Sequence, residues 1–98
     1  MKIYIITTTF DSLEASQNFA KKVIEQKLAA CCQLGKIDSI YQWKNQIVQE
    51  NEFKATFKTL KKQELVNFII TNHSYEIPEI IIQEVETTKE YFEFVSKS

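Results

Sequence analysis

The spacing of hydrophobic residues changes several times along the chain. β-Branched residues fill positions 2–9 almost without a break, which is typical of a buried central strand. Asp11-Ser12-Leu13-Glu14 then has the form of a helix N-cap with an acid three residues on. Apolar residues follow at helical spacing, with lysines on the opposite face. This first part therefore predicts a strand and then a helix from about Ser12 to Ala29.

The pattern returns to that of a strand between Ala30 and Trp43, where Gly35 is expected to form a bulge or bend. A turn around Lys44-Asn45-Gln46 leads into a third strand, from Ile47 to Thr59. In that strand Phe53, Ala55 and Phe57 alternate with polar residues. These two segments predict one long β-hairpin.

The remaining third of the chain predicts three further elements. They are a helix from about Leu60 to Asn72, a strand from Glu79 to Glu86 after a loop that contains Pro78, and a short helix within Thr88 to Lys97. The order is β-α-β-β-α-β with a C-terminal helix. This order predicts an α+β, ferredoxin-like fold with a long β2–β3 hairpin, in a single domain spanning residues 1–98.

The predicted hairpin is too long for a monomer of this size. The fourteen residues from Ala30 to Trp43 would span roughly 45 Å at ~3.3 Å each. A compact domain of this length has a radius of gyration of only ~13 Å. The tip carries Ile40, Tyr41, Trp43 and Ile47, which need to be covered. We therefore expect an obligate oligomer in which the hairpin extends the sheet of a neighbouring subunit.

Composition narrows the classes of function. Twelve basic residues, all lysines, face thirteen acidic ones, which argues against a nucleic-acid protein that relies on a basic surface. The third strand also lacks the glycine-flanked aromatic pattern of RNA-recognition modules. Without arginine there is no guanidinium clamp for phosphate, which disfavours acyl-phosphate hydrolysis, another use of this fold. We expect no nucleic-acid partner.

We also expect that the protein does not associate with a membrane and that it contains no disulfide bond. No apolar run approaches the ~18 residues of a membrane span, and the apolar start is too short for a signal-peptide core. Cys31 and Cys32 are neighbours, and adjacent cysteines rarely bridge to each other. These features predict reduced thiols in a soluble cytoplasmic protein.

Four motifs spread over nearly the whole chain resemble one family. In order along the sequence they are Lys27-Leu28-Ala29-Ala30-Cys31, then Ser39-Ile40-Tyr41-Gln42-Trp43, then Glu50 and Glu52 before Lys58-Thr59, then His73-Ser74-Tyr75-Glu76-Ile77-Pro78-Glu79-Ile80. This series resembles the CutA family, the divalent-cation tolerance proteins. The resemblance implies a small, cytoplasmic, very stable homotrimer of ferredoxin-like fold. It also implies a role in tolerance of copper and other divalent cations, with metal binding and no enzymatic activity.

The chain departs from the family pattern at several positions. Asn45 replaces the turn glycine after the tryptophan, and asparagine tolerates positive φ. Ser74 replaces the proline after His73, and Phe94 replaces a tryptophan. Thr7 stands where some members place a metal-binding cysteine. These changes are compatible with the fold and the trimer, but they exclude a metal site built on that cysteine.

The candidate metal ligands are therefore Cys31 and His73, with Glu76 and Glu79 as weaker candidates. Thiolate and imidazole are suitable ligands for copper or another divalent cation. However, no local sequence motif forms a metal site, and we expect no required cofactor. Cys31 and Cys32 point to opposite faces of a strand, so they cannot share one metal ion. A site would have to gather its ligands across the fold or across a subunit boundary. The alternative is that the cysteine is simply buried and the histidine belongs to a loop.

A second functional class remains open, because the family is similar in architecture to PII signalling trimers. An inter-subunit cleft could bind a small anionic effector through Lys58, with Tyr41, Trp43 and Tyr75 beside it. The alternative for the aromatic residues is that they anchor the hairpin on a neighbouring subunit. The sequence identifies no downstream protein partner. Fold alone cannot choose between a metal-tolerance protein and such a sensor.

Overall fold

The computed structural model describes residues 1–97, so the last residue of the predicted 1–98 domain lies outside the described part. Seven elements follow one another in the predicted order. They are β1 (Lys2–Phe10), α1 (Leu13–Glu25), β2 (Cys31–Trp43), β3 (Gln46–Thr59), α2 (Lys62–Asn72), β4 (Ile81–Glu86) and α3 (Lys89–Ser96). The strands form one sheet in the order β2-β3-β1-β4, with every neighbouring pair antiparallel. This arrangement confirms the ferredoxin-like fold.

The hydrophobic core lies between one face of the sheet and the helices α1 and α2. Ile6 of β1 stands opposite Phe57 of β3, which in turn stands opposite Cys32 of β2, so all three side chains share this face. Phe19 and Leu65 supply helical side chains to the same cluster. α3 lies against β1 and β3, and its Val95 is buried outside that cluster.

Helix α1 ends earlier than the predicted Ala29. Its N-cap is Ser12, whose side chain accepts a hydrogen bond from the amide of Ala15 at 3.0 Å. At the other end Lys27 adopts φ 59°, the left-handed conformation that commonly ends a helix. The Leu28 amide then donates to the carbonyl of Val23 at 3.0 Å. The apolar spacing continued past Glu25, but the reversal at Lys27 stops the helix there.

The long hairpin is continuous, and no bulge forms at the predicted position, Gly35. Gly35 pairs with Lys54 inside an unbroken register that runs from Cys31 to Trp43, with no extra residue on either strand. A bulge requires two residues opposite one, and none is needed here because the strands pair one to one. The turn consists of Lys44 and Asn45 alone, with φ of 50° and 65°, since Gln46 already pairs with Trp43. Positive φ at both positions is typical of a type I′ hairpin turn, and the expectation for Asn45 is confirmed.

The hairpin makes the molecule elongated. The principal extents are 45 × 24 × 21 Å, and the Cα radius of gyration is 14.1 Å. At the hairpin tip Ile40 is 67% exposed and Ile47 is 82% exposed. The protomer therefore presents apolar side chains to water on a projecting element, as the sequence predicted. The oligomer that would cover them stays a prediction.

Candidate functional site

A cavity of about 640 Å³ opens between the outer part of the hairpin, the end of β1 and the loop that follows α2. The hairpin places several of its lining residues on one face of the sheet. Tyr41 and Trp43 are two residues apart on β2 and therefore point to the same side. Ser39 stands opposite Glu50 of β3, which puts Glu50 on that side as well. The cavity is thus built on the register of the hairpin.

The lining is acidic and aromatic. Its charged side chains are five carboxylates, and no lysine is among the lining residues. These carboxylates belong to Asp11, Glu50, Glu52, Glu76 and Glu79. Three aromatic side chains complete the wall, namely Tyr41, Trp43 and Tyr75. The site therefore carries strong negative charge beside flat apolar surfaces.

Two tyrosine hydroxyls hold two of the carboxylates in place. Tyr41 donates to Glu50 Oε1 at 2.6 Å, and Tyr75 donates to Glu52 Oε2 at 2.8 Å. The hydrogen bond to Glu50 is the main reason that the pKa of Tyr41 rises to about 12. Burial and the hydrogen bond to Glu52 raise the pKa of Tyr75. Both phenols therefore stay neutral donors at physiological pH, and they leave the negative charge of the carboxylates uncompensated.

His73 fastens the loop that forms one wall of the cavity. Its Nδ1 accepts the backbone N–H of Tyr75 at 3.0 Å, so its Nε2 carries the proton and donates to the Thr9 carbonyl at 2.7 Å. The imidazole also stacks on Phe10, with ring centroids 4.5 Å apart and planes 6° apart. Burial is the main cause that lowers the pKa of His73. Both ring nitrogens are engaged, so the imidazole can bind a metal only after one of these hydrogen bonds breaks.

The two cysteines lie on opposite faces of the sheet, as predicted. Cys32 packs against the hydrophobic core, and burial is the main cause that raises the pKa of its thiol to about 12. Cys31 lies on the other face beside Tyr91, whose pKa is raised chiefly by burial and further by its proximity to Cys31. Because a thiolate is the form that binds metals, the raised pKa of Cys32 disfavours it as a metal ligand.

Lys58 does not line the cavity. It stands opposite Cys31, and its Nζ donates to Gln33 Oε1 at 2.6 Å. Cys31 is also far from His73. Through Lys58, Cys31 is level with Ile5 of β1, whereas His73 binds the carbonyl of Thr9, four residues further along the same strand. Four residues along a strand span about 13 Å. Within one chain the structure thus separates Cys31 and Lys58 from His73, Glu76 and Glu79.

Sequence patterns gave little indication of the acidic wall. Glu52 occupies one of the polar positions that alternate with Phe53 and Ala55, and such a position is expected to face water. It is instead only 7% exposed, because the loop after α2 brings Tyr75 onto it. Asp11 looked like part of a helix cap. Among residues 1–97, no group of three or more His, Cys, Asp or Glu side chains is placed to hold a metal ion.

Comparisons with known proteins give one consistent result. The sequence model of the family described as CutA1 divalent ion tolerance protein matches residues 4–98. A divalent-cation tolerance protein CutA of Thermotoga maritima is 35% identical over 97 residues, which cover 96% of this chain and 96% of the relative. A probable divalent-cation tolerance protein cutA homolog of Encephalitozoon cuniculi is 32% identical over 96 residues, covering 95% of this chain and 84% of the relative.

Solved structures agree with this result. A protein of Archaeoglobus fulgidus, described as the periplasmic divalent cation tolerance protein CutA, superimposes with a TM-score of 0.91 at 31% identity, covering 99% of this chain and 97% of that one. The apo form of a PII-like protein CutA from Nostoc sp. PCC 7120 gives 0.88 at 31% identity, covering 97% and 93%. No helix in the described residues 1–97 is long and apolar enough to cross a membrane. On the family match and these identities, the chain belongs to the CutA1 divalent ion tolerance family.

Proposed function

We propose that this protein is a non-enzymatic, cytoplasmic homotrimer that binds divalent cations, copper among them. The observation that carries the proposal is the cavity whose charged side chains are all carboxylates, in a member of a divalent ion tolerance family. Carboxylate oxygens are suitable ligands for divalent cations. The relatives from Thermotoga maritima and Encephalitozoon cuniculi are named for tolerance of divalent cations and not for a reaction.

The trimer is supported by two unpartnered apolar surfaces. One is the hairpin tip, with Ile40 and Ile47. The other is β4, which is an edge strand with Ile81 49% exposed and Ile82 45% exposed. A hairpin that adds to the free edge of a neighbouring sheet would cover both surfaces at once. Three such contacts close a ring, which leaves no edge unpaired.

The proposed metal ligands come from more than one place in the assembly. Glu76 and Glu79 belong to the cavity wall. Cys31 lies at the end of the β2–β3 hairpin that is remote from the cavity, and both ring nitrogens of His73 already form hydrogen bonds. Cys31 would therefore meet the carboxylates only across a subunit boundary, and His73 would join them only after its loop moves.

Titration calorimetry with Cu²⁺, on protein shown to be trimeric by sedimentation equilibrium, tests this proposal. We expect binding that weakens when Glu76 and Glu79 are both changed to Gln. The matched control changes Glu25 and Glu93, which are exposed and outside the cavity, to Gln. Cys31→Ser and His73→Ala then test those two ligands separately. Equal Cu²⁺ affinity in the cavity variant and the control would refute the carboxylate site, and a stable folded monomer would refute the trimer.

A second candidate is a PII-like sensor, which is supported by the description of the Nostoc relative as a PII-like protein. Lys58 would have to reach the effector from another subunit, since it does not line the cavity of its own chain. A thermal-shift screen against nucleotides and small organic acids tests this candidate. An anionic effector should raise the melting temperature in wild type but not in Lys58→Gln. A flat response across the panel would count against the sensor.

A further inference from the structure

The buried carboxylate of Glu52 has no cation beside it. Glu52 is 7% exposed and lines the cavity, and its single hydrogen bond comes from the neutral Tyr75 hydroxyl to Oε2. Among residues 1–97, the one ion pair joins Lys2 to Glu84, at 3.4 Å, away from the cavity. A mostly buried carboxylate on a cavity wall that carries no basic side chain favours a positively charged ligand.

The two carboxylates on the hairpin wall of the cavity, Glu50 and Glu52, are spaced to meet two positive charges side by side. A divalent metal requires ligand oxygens converging within about 2.0–2.6 Å of one point. No three such groups converge among the described residues. Glu50 and Glu52 instead lie on one face of β3 two residues apart, which separates their Cα atoms by about 7 Å. Two ammonium groups joined by three or four methylenes have a comparable separation.

The aromatic side chains of the cavity supply apolar surface against which an alkyl chain between two ammonium groups can pack. Trp43 and Tyr41 line the same cavity as Glu50, and the Nζ of Lys44 already lies over the Trp43 ring, 5.8 Å from its centroid. Ammonium groups are attracted to the faces of aromatic rings, and alkyl chains pack against them. The cavity, at about 640 Å³, also lies within the range usual for small-molecule sites.

We propose that this cavity binds a linear aliphatic polyamine, with ammonium groups on Glu50 and Glu52 and the alkyl chain against Tyr41 and Trp43. The inference rests on the hairpin wall of the cavity and does not require metal binding. An anionic ligand is disfavoured here because every charged group on the wall is a carboxylate. The tyrosine hydroxyls keep the two carboxylates oriented while leaving their charge available.

Spermidine is the probe, and Trp43 is the reporter, because it is the only tryptophan in the chain and lines the cavity. Spermidine should change the fluorescence of Trp43 in a saturable way. The neutral chain 1,8-octanediol and NaCl at matched ionic strength should leave it unchanged. Glu52→Gln keeps the shape of the side chain and an oxygen for the Tyr75 hydroxyl. We expect it to weaken spermidine binding about tenfold while unfolding at the same or a higher urea concentration.

The matched control is Glu93→Gln, which removes an exposed carboxylate of α3 outside the cavity and should leave the affinity within about twofold. Trp43→Ala, followed by calorimetry, should also weaken binding and covers the case in which Glu52→Gln fails to fold. No saturable response at millimolar spermidine would overturn the proposal. An equal loss of spermidine affinity in Glu52→Gln and Glu93→Gln would also overturn the proposal, because it would show that spermidine is attracted only by the overall negative charge of the protein. Titrating the same variants with Cu²⁺ in parallel tests the metal proposal independently, so that failure of one proposal can be told apart from failure of the other.

Discussion

Replacing His73 with Phe should destabilise the protein and remove one component of its pH dependence. The substitution keeps a ring that can stack on Phe10, but it removes the hydrogen bond to the Thr9 carbonyl and the acceptor for the Tyr75 amide. Each such bond contributes about 1 kcal/mol net, so the free energy of unfolding should fall by about 2 kcal/mol. His73→Ala also loses the stacked ring, for a total of about 3 kcal/mol.

The pH dependence follows from the lowered pKa of His73, which has burial as its main cause. The folded state resists protonation because Nδ1 is already an acceptor, whereas the unfolded chain takes up a proton near pH 6.5. The stability from neutral His73 is therefore fully present above pH 6.5. It is lost as the pH falls from 6.5 through the folded-state pKa. The hydrogen bond to the Thr9 carbonyl, and after it the charges of Asp11 and Glu52, oppose this shift of the pKa without reversing it.

Urea unfolding followed by far-ultraviolet circular dichroism, at equal subunit concentration, measures both effects between pH 7.5 and pH 5. His73 is the only histidine, so few other groups titrate in this window. Wild type should lose more stability than His73→Phe on acidification, and the gap between the two should narrow. Ser74→Ala, an exposed neighbour, serves as the control. A gap that is absent at pH 7.5, or that stays constant down to pH 5, would refute the role given to His73.

Three other predictions concern stability, each measured by urea unfolding. Thr59→Val should cost about 2 kcal/mol, because the buried hydroxyl donates to the Leu28 carbonyl at 2.7 Å and accepts the Lys61 amide at 2.8 Å. Thr8→Val should be neutral or stabilise by up to ~1 kcal/mol, since the hydroxyl of Thr8 is buried without a hydrogen-bond partner among the described residues; a loss like that of Thr59→Val would contradict this. Lys27→Gly should stabilise by about 0.5–1 kcal/mol by relieving the left-handed backbone, and destabilisation would argue against that strain.

The strands and the main helices were predictable because each is encoded by local spacing. Alternation in β3 identified Ala55 and Phe57 as core residues, and both are fully buried. The hairpin turn was also predictable, since Asn45 tolerates the positive φ that the structure shows. The end of α1 was not predictable from apolar spacing, because Leu28 continues the pattern after Lys27 has already reversed the backbone.

The candidate site was predictable in its aromatic residues but not in its charge. Tyr41, Trp43 and Tyr75 were identified from motifs, and all three line the cavity. Lys58 was expected beside them, yet its register position opposite Cys31 directs it to Gln33. Glu52 gave no signal of burial, since its alternating position is that of a solvent-facing residue. The cavity of the protomer is therefore acidic, and the predicted inter-subunit cleft around Lys58 stays a prediction.

By itself, the sequence determined the order of elements, the length of the hairpin and the family, because these depend on spacing between near neighbours. Only the tertiary structure decided which polar groups meet. Tyr75 reaches Glu52 across 23 positions of the chain, and His73 reaches Thr9 across 64. Such contacts arise when the loop after α2 closes over the end of β1 and the hairpin. Hydrogen bonding and burial at that closure, rather than any local pattern, set the charge and chemistry of the cavity.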